Sequence, residues 1–388
     1  MYYSPKTSTD GLVFHYDTGN TVRSYLGEPT TNQFTNPDFS NGTTGWTFGS
    51  WDGGRYTYTT ETVMGPFGRP VTALKVVRTT SDTSYAHFHQ NNGGKFTNGN
   101  TYTLSAYVKG AGTLGQYNQG GYGPITYNPG QFVTLTGEWR RISYTLTSQT
   151  DSLYPYWAAE GITQNVPMYF TLAQSEQKSH ITPFVNGTRS ATQGLKDLTN
   201  NSTLDLTNVS FDSNTQPTWD GTDDQIAVTG FTQPTDPNIY SVEAVVKLYA
   251  HNPGTNIGSV IVNNYSSLYG WIFYLNGPLS YLGIRHHDGA SGGYDLVYGT
   301  GINLNQFYHI VATDDKTTVR LYLNGTQVAS RASATALNYS GQPTIGQFGG
   351  NFAVTNGEIP VVKIYNKTLT ADEVQRNFNA VKSRFNIA

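Results

Sequence analysis

Arg320-Leu-Tyr-Leu-Asn-Gly-Thr-Gln-Val-Ala329 is the stretch on which the fold turns. Asn324-Gly325 stands between two runs rich in strand-forming residues. Asn and Gly tolerate the positive φ that a two-residue hairpin turn demands, so the flanking runs are read as the two arms of a β-hairpin. The same texture continues outward on both sides. Upstream lie Gln225-Ile-Ala-Val228, Tyr240-Ser-Val-Glu-Ala-Val-Val-Lys-Leu248, Gly258-Ser-Val-Ile-Val262, Gly270-Trp-Ile-Phe-Tyr-Leu275, Tyr281-Leu-Gly-Ile-Arg285 and Phe307-Tyr-His-Ile-Val-Ala312. Downstream lies Glu358-Ile-Pro-Val-Val-Lys-Ile-Tyr365. Short strands joined by turns predict an antiparallel sandwich rather than alternating strands and helices.

One helix stands out. Thr370-Ala-Asp-Glu373 is a capping box, and Val374, Phe378, Val381 and Phe385 follow at spacings of four, three and four. The predicted role is structural, a terminal helix docked on a sheet.

The first strand is Gly11-Leu-Val-Phe-His-Tyr-Asp17, with Leu12, Phe14 and Tyr16 on one face. A different-looking unit starts at Phe34-Thr-Asn-Pro-Asp-Phe39. Its best strand is Thr101-Tyr-Thr-Leu-Ser-Ala-Tyr-Val-Lys109, with Tyr102, Leu104, Ala106 and Val108 on one face. Further strands are predicted at 73–78, 132–136, 139–146 and 167–173.

The 388 residues suit two domains. Charged residues make up 13 %, where a typical soluble domain carries about 25 %. Polarity comes instead from Thr, Asn, Ser, Gln and 42 glycines, and 28 tyrosines stand against 3 methionines. The net charge is -3 with no basic tract, which argues against a nucleic-acid partner. No apolar run reaches the roughly 18 residues of a membrane helix, so no membrane insertion is expected. Cysteine is absent, which excludes disulfides and thiolate metal sites. Met1 to Asn20 has no apolar core of a secretory signal. A sugar-facing composition without an export signal points to a virion surface protein, made in the host cytoplasm.

The segments Gly221-Thr-Asp-Asp224, Tyr240-Ser-Val-Glu-Ala-Val-Val-Lys247, Leu321-Tyr-Leu-Asn-Gly-Thr326, Ile359-Pro-Val-Val-Lys-Ile-Tyr365 and Leu369-Thr-Ala-Asp-Glu-Val-Gln-Arg-Asn-Phe378 resemble a concanavalin A-like, laminin-G-like jelly roll, in the version seen in phage structural proteins. In that family a strand like 11–17 leads quickly into a segment like Gly194-Leu-Lys-Asp-Leu-Thr-Asn-Asn201. Here residues 18–193 intervene. Asn32-Gln-Phe-Thr-Asn-Pro-Asp-Phe-Ser-Asn-Gly-Thr-Thr-Gly-Trp46, Tyr102-Thr-Leu-Ser-Ala-Tyr-Val-Lys109 and Gly137-Glu-Trp-Arg-Arg-Ile-Ser143 look like parts of a family 4/9-type carbohydrate-binding module. The resemblance implies an all-β chain of two antiparallel jelly-roll sandwiches with a short C-terminal helix. Residues 1–31 plus 186–388 would form one, and the inserted 32–185 the other.

Sugar binding calls for flat aromatic faces completed by amides and hydroxyls. Tyr117, Tyr122, Tyr127, Tyr156 and Trp157 are the candidates, read as lying in loops. Asp223 and Asp224 offer hard oxygen ligands suited to calcium, with an Asx-capped turn as the open alternative. Asp38 matches a position that often supports a structural calcium in such modules, while Tyr169-Phe-Thr-Leu172 lacks the usual second acid. Glu243 and Glu358 lack the strand partner a glycosidase pair needs, so no catalytic residues are assigned. His286-His287-Asp288 is read as a polar hairpin loop, and His87 and His89 as neighbours on a solvated strand face. The leading expectation is a non-catalytic phage fibre, appendage or capsid decoration. It would be a homo-oligomer that touches other virion proteins and host cell-surface polysaccharide. A bacterial lectin or adhesin, and a glycan-degrading enzyme, are the alternatives.

Overall fold

The computed structural model describes residues 7–49, 53–81, 85–90, 96–120, 133–148, 151, 153–252, 257–266, 269–276, 281–289, 294–299, 302–333 and 341–387. Following the chain, β1 (Leu12–Asp17) comes first. Next come β2 (Thr30–Thr31), β3 (Thr47–Phe48), β4 (Tyr56–Met64), β5 (Pro70–Arg78), β6 (Ala86–His89) and β7 (Thr101–Lys109). They are followed by β8 (Ala111–Gly120), β9 (Val133–Thr136), β10 (Arg140–Thr147), β11 (Leu153–Glu160), β12 (Met168–Glu176) and β13 (Thr188–Arg189). After the short α1 (Ala191–Gly194) lie β14 (Thr203–Asn208), β15 (Ser210–Phe211), β16 (Pro217–Asp220), β17 (Gln225–Thr229) and β18 (Ile239–Ala250). Then come β19 (Ser259–Ser266), β20 (Tyr269–Asn276), β21 (Tyr281–Asp288), β22 (Tyr294–Gly299) and β23 (Phe307–Asp315). The chain closes with β24 (Thr318–Leu323), β25 (Thr326–Ala332), β26 (Thr344–Ile345), β27 (Asn356–Tyr365) and α2 (Ala371–Val381). The fold is nearly all β and antiparallel.

The chain divides into two compact units. Unit 1 takes the residues up to Pro29 and from Ser190 onward, and unit 2 runs from Thr30 to Arg189. In unit 1 one sheet has the order β15-β16-β27-β18-β23-β24-β25, with β1 also paired to β27. The other has the order β14-β17-β26-β19-β20-β21-β22. The period of two sends Phe14 and Tyr16 of β1 inward, where Trp219, Tyr240, Trp271, Phe273, Leu321 and Ile364 join them in one core. Each such side chain contributes roughly 1.5–3 kcal/mol when taken out of water. The Tyr16 hydroxyl donates to the Ile359 carbonyl at 2.7 Å, which lets a polar ring sit fully buried. Asn324 and Gly325 have φ of 49° and 82°, the turn geometry that their sequence predicts.

The helix α2 forms with both halves of its capping box. The Glu373 amide donates to Thr370 Oγ1 at 3.2 Å, and the Thr370 amide donates to Glu373 Oε2 at 3.0 Å. Val374, Phe378 and Val381 are buried against residues of β18, β23, β24 and β27 such as Val245, Val311, Tyr322 and Val361. Charge lies beneath this apolar cover. Glu243 of β18 and Lys363 of β27 are direct cross-strand neighbours. Their side chains meet at 2.6 Å with 0 % and 1 % exposure. Asn377 of α2 donates to Glu243 Oε2 at 2.6 Å, and His309 Nε2 of β23 lies 3.2 Å from Glu243 Oε1. Burial alone would raise the Glu243 pKa, but Lys363 and His309 hold it far below the usual carboxylate range. Asn377 Oδ1 accepts from the Ser8 amide at 2.7 Å, so the segment before β1 is tied in as well.

A second polar group lies inside the sandwich. His286 is fully buried, its Nε2 2.6 Å from the Tyr240 hydroxyl, and the Tyr240 ring stacks on Trp271 at 5.4 Å. Burial, aided by the Arg331 charge, lowers the His286 pKa to about 3. His15 of β1 is lowered to about 4 by burial and by Lys363. His286, His287 and Asp288 therefore belong to a strand, β21, and not to a hairpin loop. His286 points into the core and His287 packs on Tyr265 at 4.8 Å, because neighbours in a strand face opposite ways.

Unit 2 is a sandwich of two five-stranded sheets, β10-β7-β12-β5-β4 and β3-β6-β11-β8-β9. Phe39, Trp46, Phe88, Trp157 and Phe170 fill it with mutually touching rings. Its first and last strands, β2 and β13, pair with each other. Beside them the fully buried Glu176 accepts from Thr30 Oγ1, Gln174 Nε2, the Thr182 amide and Thr182 Oγ1 at 2.8–2.9 Å.

Lys363→Met should lower the stability of unit 1 by about 3–5 kcal/mol, because it strands the Glu243 charge in the core. The double variant Lys363→Met/Glu243→Leu should recover much of that loss. Urea midpoints of the two variants check this, and equal losses would contradict it. The buried histidines set a pH window. Their folded pKa values lie below the unfolded value of about 6.5, so between the two the unfolded chain binds more protons and stability falls with pH. Each should remove about 2 kcal/mol between pH 6.5 and 5. His286→Gln should flatten the pH dependence of the urea midpoint in that range.

Candidate functional site

The sheet β3-β6-β11-β8-β9 of unit 2 contains no Lys or Arg in any of its strands. In β6 the alternation is clear. Ala86 and Phe88 are buried, whereas His87 and His89 are half-buried on the opposite, outward face. Tyr85, 39 % exposed, lies with its ring 5.7 Å from that of His87. Burial, helped by the His87 charge, lowers the His89 pKa, so this imidazole is neutral at pH 7. The backbone register then lines up Thr47 of β3, His89 of β6, Tyr156 of β11 and Tyr117 of β8 in one row across four strands. Of this row, Thr47 and His89 offer groups that hydrogen-bond without net charge, which is the chemistry a neutral saccharide needs; Tyr156 and Tyr117 are placed in it by strand register.

Tyr117 and Tyr156 are thus direct cross-strand partners. They lie in β8 and β11, not in loops as the sequence suggested. Trp157 is a correction of a different kind. It is 0 % exposed, and its ring packs 5.1 Å from Phe170 and 5.8 Å from Tyr144. Standing one residue after Tyr156 in a strand, it is turned into the core and offers no platform to a ligand. Tyr122 and Tyr127 lie outside the described residues.

In unit 1 Asp220, Asp223 and Asp224 bring one carboxylate oxygen each within 4.8 Å of one another. Asp224 is 3 % exposed and accepts from the Ser210 amide at 2.6 Å and the Asp220 amide at 2.5 Å. Asp224 thus ties the Ser210 and Asp220 backbone amides together, while Asp220 and Asp223 face solvent. Burial, and then the Asp220 charge, raises the Asp224 pKa. Asp220 is itself pushed up by burial, but the Thr222 amide and the Asp224 side chain outweigh this and lower it. A divalent cation would relieve the crowding of negative charge. Asp220 escaped the sequence reading, although the spacing of three and four residues to Asp223 and Asp224 was a usable sign.

Asp38 of unit 2 is engaged locally. It accepts from the Ser40 hydroxyl at 2.8 Å and from Asn186 Nδ2 at 3.1 Å. The last long strand does carry an acid, Glu176, since β12 runs past Leu172. Its oxygens already accept four hydrogen bonds, which makes it a structural knot and not a partner for Asp38. Glu243 is sealed beneath α2, and Glu358 is paired with Lys247 at 2.6 Å.

Residues 220–375 match the family described as the concanavalin A-like lectin/glucanases superfamily. No curated protein matches the chain. Solved structures align at low identity. The botulinum neurotoxin serotype D binding domain is 16 % identical, with 49 % of each chain covered and a TM-score of 0.39. Domain 4 of an extracellular arabinanase from Geobacillus stearothermophilus, in complex with arabinotriose, is 18 % identical over 44 % of this chain and 79 % of that one, with a TM-score of 0.36. The Ruminococcus gnavus sialidase carbohydrate-binding module bound to sialyllactose is 13 % identical over 36 % and 80 %, with a TM-score of 0.31. The chain spans about half the length of the toxin domains it aligns with. Unit 1 carries a concanavalin A-like, laminin-G-like jelly roll over residues 220–375.

Proposed function

We propose that this chain is a non-catalytic glycan-binding protein on the outside of a bacteriophage virion, and that unit 2 supplies a sugar-binding face. The row Thr47, His89, Tyr156 and Tyr117, on a sheet whose strands carry no Lys or Arg, is the observation that carries this reading. Aromatic and neutral polar residues at cross-strand spacing suit stacking on a pyranose and bonding to its hydroxyls. The virion setting rests on the resemblance of the unit 1 segments to phage structural proteins and on the low-charge, tyrosine-rich composition. Other virion proteins and host cell-surface polysaccharide are the proposed partners. A homo-oligomer displayed in many copies would turn weak single sites into useful avidity.

Calcium at Asp220, Asp223 and Asp224 is the accompanying proposal, supported by the convergence of three carboxylates in one turn. A bound ion would stabilise unit 1 without taking part in any chemistry.

Three experiments test these readings. The full-length chain, applied to an array of host polysaccharides, should bind, and Tyr156→Ala or His89→Ala should weaken that binding several-fold. Loss in neither variant would remove the face from consideration, and release of reducing sugar would overturn the non-catalytic reading. Peptides of the chain should appear in purified particles by mass spectrometry. For calcium, a chelator should lower the melting temperature, since an ion bound only by the native state stabilises it. Asp223→Asn should melt at the chelated temperature with or without calcium. An unchanged melting curve in chelator would sink the ion.

A further inference from the structure

In unit 1 several of the cations sit directly against acids. Lys247, Arg285, Lys316, Arg320, Lys363 and Arg384 each meet a carboxylate at 2.6–2.7 Å. The sheet β10-β7-β12-β5-β4 of unit 2 behaves differently. Its strands send Leu74, Leu104, Ala106, Val108, Ile142 and Phe170 into the core. The period of two therefore puts Lys75, Tyr107, Lys109, Arg141 and Tyr169 on the outer face.

On that face cations and rings are interleaved. Phe67, in the turn between β4 and β5, is 54 % exposed and sets its ring 5.2 Å from Tyr107. The Arg69 guanidinium lies 5.8 Å from the Phe67 centroid, and that of Arg141 lies 5.6 Å from the Tyr107 centroid. The resulting order is cation, ring, ring, cation. The register places Arg141 beside Tyr107, and Tyr169 beside both Lys109 and Lys75. Lys75 is paired with Glu61 at 2.6 Å. Among the described residues, no carboxylate lies within ion-pair distance of Arg69, Lys109 or Arg141. Arg141 donates to Ser105 Oγ at 2.9 Å, and burial lowers its pKa against the more distant pull of Tyr107 and Glu176, so an anion placed directly on it would stabilise it. At the end of the face a cleft of ≈ 510 Å³ opens, lined by Lys109, Gly110, Thr136, Pro167 and Tyr169 among others.

We propose that this outer face binds an acidic polysaccharide, its carboxylate or sulfate groups meeting Arg69, Lys109 and Arg141 and its sugar faces lying on Phe67, Tyr107 and Tyr169. Unpaired cations gathered on one side of a charge-poor protein are complementary to a polyanion. Exposed rings between them add the flat apolar surface that a sugar ring offers a match for. A nucleic acid fits less well, because a duplex is typically held through about 6–10 phosphate contacts and this face offers three free cations. The site is separate from the neutral row on the other sheet, and its existence does not depend on that row binding anything.

The test uses the full-length chain with polygalacturonate and with the same polymer methyl-esterified, in low and high salt. Esterification removes the charge and keeps the backbone. It should weaken binding by about tenfold or more, and high salt should weaken binding to the charged polymer to a similar extent. The double reversal Arg69→Glu/Lys109→Glu should abolish the preference, while the melting temperature and any binding abolished by Tyr156→Ala stay as in the parent. Dextran sulfate preferred over dextran, with no preference between the two galacturonans, would assign the charge to sulfate and still support the site. Equal binding of charged and neutral polymers of both kinds would overturn the proposal. So would an unchanged preference in the double reversal, or a thymidine oligonucleotide bound as tightly as polygalacturonate.

Discussion

Glu243 holds a full negative charge in the middle of unit 1, and much of that unit is arranged to compensate it. Removing a carboxylate from water costs several kcal/mol unless partners replace the lost solvent. Here Lys363 comes from β27, His309 from β23 and Asn377 from α2. The Ser8 amide then reaches Asn377. One side chain thus ties three strands, the C-terminal helix and the segment before β1. Apolar packing alone would let α2 slide, since Val374, Phe378 and Val381 could meet other aliphatic groups one turn away. Asn377 removes that freedom, because only one position of the helix brings its amide to Glu243 Oε2. The pair is better understood as fixing the helix in place than as adding stability.

The parts of the fold legible in the sequence are those set by local rules. Asn324-Gly325 dictates positive φ, and the hairpin forms where it stands. The Thr370/Glu373 capping box and the stripe beginning at Val374 mark the helix. Phe14 and Tyr16 share the inward face as their spacing predicts, but Leu12 does not join them: the ladder to β27 shifts register between Leu12 and Phe14, so Leu12 packs with Val311, Tyr365 and Val374 beneath α2 while Val13 lies against the sandwich core. What escaped depends on residues distant in sequence. Glu243 looked isolated because its partner is 120 residues away. His286 looked like a loop residue because nothing nearby reveals the Tyr240 hydroxyl waiting inside the sandwich. Glu176 was missed because β12 bulges after Thr171, with Leu172 at a φ of 51°, and then resumes pairing with β7 at Gln174.

The candidate site shows the same division. Aromatic abundance drew attention to Tyr156 and Trp157 together, yet adjacent strand residues cannot serve one ligand. The core claims Trp157 and encloses it with Phe170 and Tyr144. The row that includes Tyr156 is defined by ladder register across β3, β6, β11 and β8, and no spacing in the sequence announces it. Composition did foretell that rings, amides and hydroxyls would dominate such rows, because charged residues make up only 13 % of the chain.

Low overall charge also makes the location of the remaining charges informative. In unit 1 the cations named above lie against acids, so their fields cancel within a few ångströms and leave little for a distant partner to feel. In unit 2 one sheet has no Lys or Arg in its strands, while the other gathers Lys75, Lys109 and Arg141 on its outer face with Arg69 beside them. A sandwich has to bury both inner faces to fold at all, and that requirement is met by Phe39, Trp46, Phe88, Trp157 and Phe170. Its outer faces are under no such constraint. Their different content of Lys and Arg is therefore not required by core formation, and it is on those outer faces that this fold has room to carry recognition.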